Sequence, residues 1–348
     1  MTPVDLYIAG TGRRLPPATT LAEVEAAGLC RRRAWWRSEV ESVRVSPGES
    51  GPEMAARAAG AALAQAGSAP AGIDLLLHAT TFYQGHDMWA PASYVQRVAL
   101  GNTCPAIEVR QMSNGGMAAL HLAAGCLAGG TDRSEALITT GDRFCPPGFD
   151  RWRSDAGTAY GDGGTALVLS RRGGFARVLA LTTHADPGLE GMHRGNDPFG
   201  DAPFAVRRPV DLEPPRRDFV AATGLDSVLG RIDEGQRTVL KRCLTDAGVT
   251  LADLDRFVLP HLGRPRLEAH FLGPLGIDVE RTTWSWGRRV GHLGAGDQFA
   301  GFGHLVDTGA LAPGQLCLLA GVGAGFTWSC AVVEMLHRPE PAGSGDTW

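Results

Sequence analysis

Short apolar runs bounded by glycine or polar turns alternate along the chain with stretches of helical period. Leu6–Gly12 reads as a first strand ending in a glycine turn. The region to about Ser46 is irregular and holds a basic-aromatic cluster, Arg31 to Arg37. Met54–Ala66 is an Ala-rich helix, started by Pro52-Glu53 and stopped by Gly67. Ile73–Thr80 follows as a buried strand and Met88–Leu100 as a helix. A strand-like run (Ala106, Ile107, Val109) leads to Ser113, after which Met117, Leu120, His121 and Ala124 recur at helical spacing up to Gly129-Gly130. Ala136–Thr140, ending in Gly141-Asp142, is a further strand, and Ala166–Leu169 another after the turn Gly161–Gly164.

That order returns. Leu63–Gly67 ahead of Asp74 is echoed, at one constant offset, by Leu244–Gly248 ahead of Asp255. Leu75–His78 corresponds to Phe257–Pro260, the Ser113 turn to Val290–Asp297, 136–140 to 316–320, and 166–169 to 331–333. A supersecondary unit used twice predicts two similar α/β halves, each a mostly parallel sheet covered by helices. The halves are expected at residues 1–175 and 176–348. Within the second, 176–215 is expected as an insertion or lid, since Thr183 to Pro215 is polar and rich in Pro and Gly. Chemistry belongs where the two equivalent turns meet, outside the strand ends.

Composition narrows the class. The 348 residues carry 33 basic and 37 acidic side chains, a net charge of −4 with both signs interspersed. That argues against a nucleic-acid or membrane-surface partner. Apolar runs fall short of the roughly 18 residues a bilayer span needs, and the N-terminus does not read as a signal peptide. The seven cysteines lack paired or metal-ligand spacing, which fits reduced core thiols in a cytoplasmic protein with no metal centre.

Ser113 stands at a strand-to-helix turn, beside backbone N–H groups and the positive end of a helix. This setting suits a nucleophile whose attack makes an oxyanion; it also suits a plain N-cap serine. Four segments then carry a resemblance. Tyr160–Val168 is similar to the glycine-rich FGDGA segment of ketoacyl synthase III, and Gly321–Trp328 to its C-terminal GxGxGFTW signature. Leu259–Leu262 falls where that family has its catalytic PHQ histidine, and Ser113 on its nucleophilic cysteine. Over nearly its whole length the chain resembles ketoacyl synthase III, of the thiolase superfamily. The resemblance implies the five-layered α-β-α-β-α thiolase fold and a homodimer.

The departures matter most. Serine replaces the cysteine, and His292, in Gly291–Gln298, replaces the catalytic asparagine. This run is similar to a subgroup of ketoacyl-synthase-like enzymes in bacterial natural-product pathways. That subgroup uses a nucleophile–His–Asp set to transfer acyl groups to sugar hydroxyls or to load polyketide starters. A cysteine at a helix N-terminus gains thiolate by pKa depression alone, whereas a serine needs a neighbouring base held in one tautomer by a third group. Ser113 is thus the expected nucleophile, His292 the base and Asp297 its orienter. Their plainer alternatives are an N-cap, a satisfied core histidine and a first-turn carboxylate. His261 matches the family histidine and is either catalytic or only a hydrogen-bond donor. By resemblance, the backbone N–H groups of Ser113 and Ala324 form the oxyanion hole. Gly163 and Gly164 read as packing glycines.

Arg37 matches loosely a family arginine at the adenine end of coenzyme A, with Trp35 and Trp36 placed to stack; a solvated basic loop is the equal alternative. Arg264 and Arg266 fall near the expected tunnel mouth, where they meet an acidic carrier protein or simply solvent. Phe82 and Trp89, in the aromatic stretch 81–89, are candidates for the acyl pocket on the dimer side, or for interface packing.

Three functions compete. The first is transfer of an acyl group from an acyl-CoA or acyl carrier protein thioester, through an ester on Ser113, to a hydroxyl or amine. The second is a starter-unit synthase that condenses the acyl group with a malonyl carrier protein. The third is a non-catalytic partner subunit. An α/β-hydrolase is disfavoured by the absence of GxSxG around Ser113 and by the order and spacing of the histidine and aspartate.

Overall fold

A computed structural model describes residues 5–30, 35–129 and 132–339. Arg31 to Arg33, Gly130 and the Trp36 side chain, all named above, lie outside the described residues.

The helix that precedes the first buried strand, α1 (Gly51–Ala66), begins with a reciprocal cap between Ser50 and Glu53 and ends at Gly67, whose φ of 63° is left-handed. Its alanines at 55, 58, 59 and 62 are buried. They lie against β1 (Tyr7–Arg14), β6 (Glu135–Asp142) and β7 (Gly163–Ser170). The helix backbone approaches so closely that a Cβ on Gly12 would stand 1.9 Å from the Ala58 carbonyl oxygen, and one on Gly164 2.3 Å from Met54 C. This corrects two expected turns: β1 continues through Gly12 to Arg14, and Gly163-Gly164 open β7. The glycines serve packing, not chain reversal.

Among the described residues the sheet has nine strands, in the order β5-β4-β6-β7-β1-β8-β11-β10-β9. The members not yet placed are β4 (Leu75–Ala79), β5 (Ala106–Val109), β8 (Ala176–Ala185), β9 (Arg256–Val258), β10 (Leu316–Gly323) and β11 (Thr327–Met335). Strands β2 (Ala18–Thr20) and β3 (Ser42–Arg44) pair separately. About the β1–β8 junction the order reads outward as β7, β6, β4 and as β11, β10, β9, so the duplication in sequence is a duplication in space. Even its small parts repeat. Asp74 accepts the N–H groups of Ser134 and Glu135 at the start of β6, and Asp255 accepts that of Leu316 at the start of β10. Gly248 ends its helix with φ 69°, as Gly67 does.

Strands β1 and β8 share only two residue pairs, Tyr7 with Arg177 and Ile8 with Ala176. There the two halves of the sheet bend around a middle layer. That layer is α3 (Gly115–Gly129) and α6 (Asp297–Thr308), each touching strands of both halves. Met117, Leu120, Phe299 and Phe302 are among its buried side chains, each contributing roughly 1.5–3 kcal/mol by leaving water. Helix α1, with α2 (Pro91–Ala99), covers the outer face of the first half, and α5 (Leu225–Ala247) that of the second. These are the five layers.

Two expectations change. The sheet is mixed rather than mostly parallel: only β4–β5, β4–β6 and β9–β10 run parallel, because β6–β7 and β10–β11 are joined without a crossover helix. The first ten residues of the expected 176–215 insertion are β8, inside the sheet. The polar remainder continues into α4 (Glu213–Thr223), beside the cavity described next.

Candidate active site

Ser113 lies in the tight turn Met112–Asn114 between β5 and α3, and Met112 takes a left-handed φ of 48° to make it. Asn114, fully buried, fixes the turn to β11 through Ser329 Oγ at 2.9 Å. The opposite turn, Gly294–Gly296 before α6, packs directly on the first: a Cβ on Gly116 would stand 2.5 Å from the Ala295 carbonyl oxygen. Small residues at both turns let the two helix starts meet, which brings residues 179 positions apart into contact.

His292 Nε2 is 2.7 Å from Ser113 Oγ, and His292 Nδ1 is 2.6 Å from Asp297 Oδ2. Asp297, buried at the start of α6, also accepts the N–H groups of His261 and Leu293, each at 2.8 Å. The carboxylate requires the proton on Nδ1, which leaves Nε2 to accept the serine hydroxyl. Burial disfavours charge on both partners, but their mutual attraction wins. Asp297 falls to about 2, helped by His261 and the hydrogen bonds it accepts. For His292, burial lowers the pKa, but Asp297, with Asp155 and Asp142, holds it above the ordinary imidazole value.

His261 is buried behind this couple. Its Nδ1 lies 3.0 Å from the Gly291 carbonyl oxygen and 3.4 Å from Asp297 Oδ1, and its ring stands edge-on to Trp286. Its neighbours Pro260 and Leu262, not His261, line the cavity in front of Ser113.

That cavity, about 310 Å³, is lined by Ser113, His292 and Ala324. Val228 and Ile232 of α5, with Phe271, Phe326 and Trp328, make part of its lining apolar. Another part is charged. Asp155 pairs there with Arg216 of α4 at 2.8 Å and with Arg266 at 3.0 Å, and these guanidiniums hold its carboxyl well below the usual range against the effect of burial. His193, beside them, is pushed by burial down to about 4. Arg266, expected to face solvent or a carrier, is instead a half-buried partner of Asp155. Asp155 and Arg216 escaped sequence reasoning, because no local pattern marks charges that meet only through folding.

The remaining candidates lie off this cavity. Arg264 pairs with Glu268 at 3.1 Å, and Arg37 is exposed on the turn after Trp36. Trp35 packs in the interior against Trp152, so it offers no stacking face. Phe82 joins an aromatic cluster with Phe144, Phe149 and Phe204. Trp89 sits by His86 and Tyr94 near the surface. Asp142 accepts the N–H groups of Thr81 and Phe82 and lies under Ala295, and burial raises it to about 7. Among the described residues no cluster of metal-binding side chains occurs, and no helix is long and apolar enough to cross a membrane.

Residues 107–187 match the family described as 3-oxoacyl-[acyl-carrier-protein] synthase III, and residues 244–335 its C-terminal counterpart. The β-ketoacyl-[acyl-carrier-protein] synthase III of Rhizorhabdus wittichii is 28% identical over 336 residues, covering 94% of this chain and 98% of the relative. That of Erythrobacter litoralis is 28% identical over 334 residues, with the same coverage. Among solved structures, the acyltransferase ChlB3 is 35% identical, with 98% of this chain and 100% of that chain covered and a TM-score of 0.92. The synthase III of Pseudomonas aeruginosa, FabH, is 23% identical with a TM-score of 0.77, over 97% of this chain and 100% of that one. In fold, in the two matched segments and in overall likeness, the chain belongs to the 3-oxoacyl-[acyl-carrier-protein] synthase III family of the thiolase superfamily.

Proposed function

We propose that the protein is an acyltransferase in which residues 1–175 supply the nucleophile Ser113 and residues 176–348 the His292–Asp297 couple. The observation that carries this reading is the continuous chain of hydrogen bonds from Ser113 Oγ to His292 and on to Asp297, at 2.7 and 2.6 Å. The donor is a thioester of coenzyme A or of an acyl carrier protein. Ser113 Oγ attacks its carbonyl carbon while His292 Nε2 takes the hydroxyl proton. The oxyanion is held by the N–H groups of Ser113 and Ala324. On collapse the C–S bond breaks and the imidazolium returns its proton to the departing thiolate, which leaves as a thiol. In the second half an acceptor hydroxyl or amine gives its proton to His292 and takes the acyl carbon. Ser113 Oγ leaves and is reprotonated. The likeness to ChlB3, named an acyltransferase, supports this direction.

The relatives named as synthases favour a second reading, decarboxylative condensation on a malonyl carrier protein to prime a polyketide chain. Against it stands the replacement of the family asparagine by His292, which removes one donor for an enolate. Incubation with short linear, branched and dicarboxylic acyl thioesters, followed by intact mass, tests the main reading. Ser113 should gain the acyl mass and Ser113→Ala should not; no adduct with any donor would instead support an inert partner subunit. Carbon dioxide released from a malonyl carrier would favour condensation.

A homodimer fits the same reading. Strand β5 lies at the sheet edge with Ile107 51% exposed, and Leu122 on the adjoining α3 is 50% exposed. Phe82 and Trp89, on the loop beyond β4, are then dimer-side candidates, and Arg37, Trp36 and Arg264 candidates for the carrier or coenzyme A. A cytoplasmic setting, where such thioesters are made, fits this chemistry.

A further inference from the structure

One buried polar cluster lies beside the reacting atoms without a role in the steps above. Asp155 accepts the Tyr160 hydroxyl at 3.2 Å, Arg216 at 2.8 Å, and Arg266 at 3.2 and 3.0 Å. These partners come from three separate elements: the loop before β7, the helix α4, and the short helix Arg264–Leu267. Tyr160 connects them to His292. Its ring centre is 5.1 Å from the imidazole at an angle of 63°. The two backbones run side by side, with His292 N–H donating to Ala159 O at 2.8 Å and Gly161 N–H donating to His292 O at 2.9 Å. Phe144 and Phe149, at 4.7 and 4.8 Å, pin the tyrosine ring from other sides.

We propose that Tyr160 and Asp155 are positioning residues for His292: the tyrosine ring sets the plane of the imidazole, and the Asp155 carboxylate, shared with Arg216 and Arg266, holds the tyrosine and ties α4 to the base. The proposal rests on the acyl-transfer reading of Ser113 and His292. Around His292 the charged and titratable groups are Asp297 on Nδ1, His261 behind that carboxylate, Tyr160 on the ring, and Asp155 and Asp142 further out. The Arg216 and Arg266 cations lie beyond Asp155. Neutralising Asp155 therefore leaves Arg266 without its carboxylate and Arg216 with Glu213 alone, a more positive surrounding that disfavours the imidazolium. Neutralising Arg266 leaves the carboxylate less compensated and favours it. Charge alone gives these opposite signs, so the titration tests whether the cluster is coupled to the base, and the rates of the tyrosine variants test positioning.

The test titrates the His292 resonance in full-length ¹⁵N-histidine-labelled protein, assigned by its loss in His292→Asn, alongside the rate of Ser113 acylation. Asp155→Asn should move the titration down by about half a unit to one unit and Arg266→Gln up by a similar amount. Tyr160→Phe keeps both charges, so the titration should hold. Its maximal acylation rate should fall about tenfold at unchanged KM, and Tyr160→Leu should fall further. Shifts of the same sign, or none, overturn the proposal, as do wild-type rates in both tyrosine variants. Should Asp155→Asn not fold, Arg216→Gln takes its place, with an upward shift expected and none overturning the proposal. The titration needs no turnover. An unacylated wild-type Ser113 thus counts against the acyl-transfer reading, and absent shifts with Ser113 acylated count against the positioning role alone.

Discussion

Asp297 Oδ2 stands 2.6 Å from His292 Nδ1 while the same carboxylate accepts two backbone N–H groups, from His261 and Leu293. The two N–H donors hold the carboxylate in the plane in which it meets His292. On the proposed acyl-transfer reading, this arrangement sets the tautomer of His292, and the reactivity of Ser113 depends on it.

Asp297→Asn should therefore cost far more rate than stability. An amide can present N–H to Nδ1 and turn the imidazole to the tautomer whose Nε2 carries the proton, which cannot accept the serine hydroxyl. Ser113 acylation should fall by about 10³- to 10⁴-fold. Stopped-flow release of thiol from the donor measures it; a loss under tenfold would remove Asp297 from the mechanism.

The pH profile has a defined sign. Acylation needs neutral His292, whose pKa lies above 6.5 because Asp297 outweighs the effect of burial. The rate should be low in acid and rise with pH, with its midpoint above 6.5. The stability linkage runs the other way: the raised pKa adds stability below 6.5 that disappears as pH climbs through the folded value. Asp297, lowered to about 2, adds stability above its unfolded pKa that is lost as pH falls towards 2. Acylation rates and chemical denaturation from pH 5 to 9 test the first two signs.

His261→Ala separates support from catalysis. The backbone N–H that holds Asp297 survives the change, while the buried ring against Trp286 is lost. Stability should drop by about 1–3 kcal/mol and acylation by less than about tenfold. A fall to background in a folded variant would restore His261 to the chemistry.

Gly116→Ala should separate the two halves of the site. Its Cβ would meet the Ala295 carbonyl oxygen at 2.5 Å, a backbone atom that can yield only by moving the whole turn. A loss of about 1–3 kcal/mol is expected, with a disproportionate fall in acylation as Ser113 and His292 part. Melting and acylation of the same sample give both quantities, and an unchanged rate would show that the contact tolerates widening.

Local pattern was enough for the repeat, and with it the two halves. Gly67 and Gly248 punctuate like helices, and Asp74 and Asp255 clamp like strands, because caps and strand starts are short-range devices written in adjacent residues. That Ser113, His292 and Asp297 form one candidate site is legible for a similar reason: a serine where resemblance expects cysteine asks for a neighbouring histidine and carboxylate, and these two are five residues apart. Other features depended on the assembled fold. Whether Gly12 turns the chain or seats a helix depends on α1, dozens of residues away. Strand direction depended on connections that carry no helix. The pairing of Asp155 with Arg216 and Arg266 arises where three separate segments converge. Burial and charge compensation there are properties of the packed interior, and no single stretch of chain contains them.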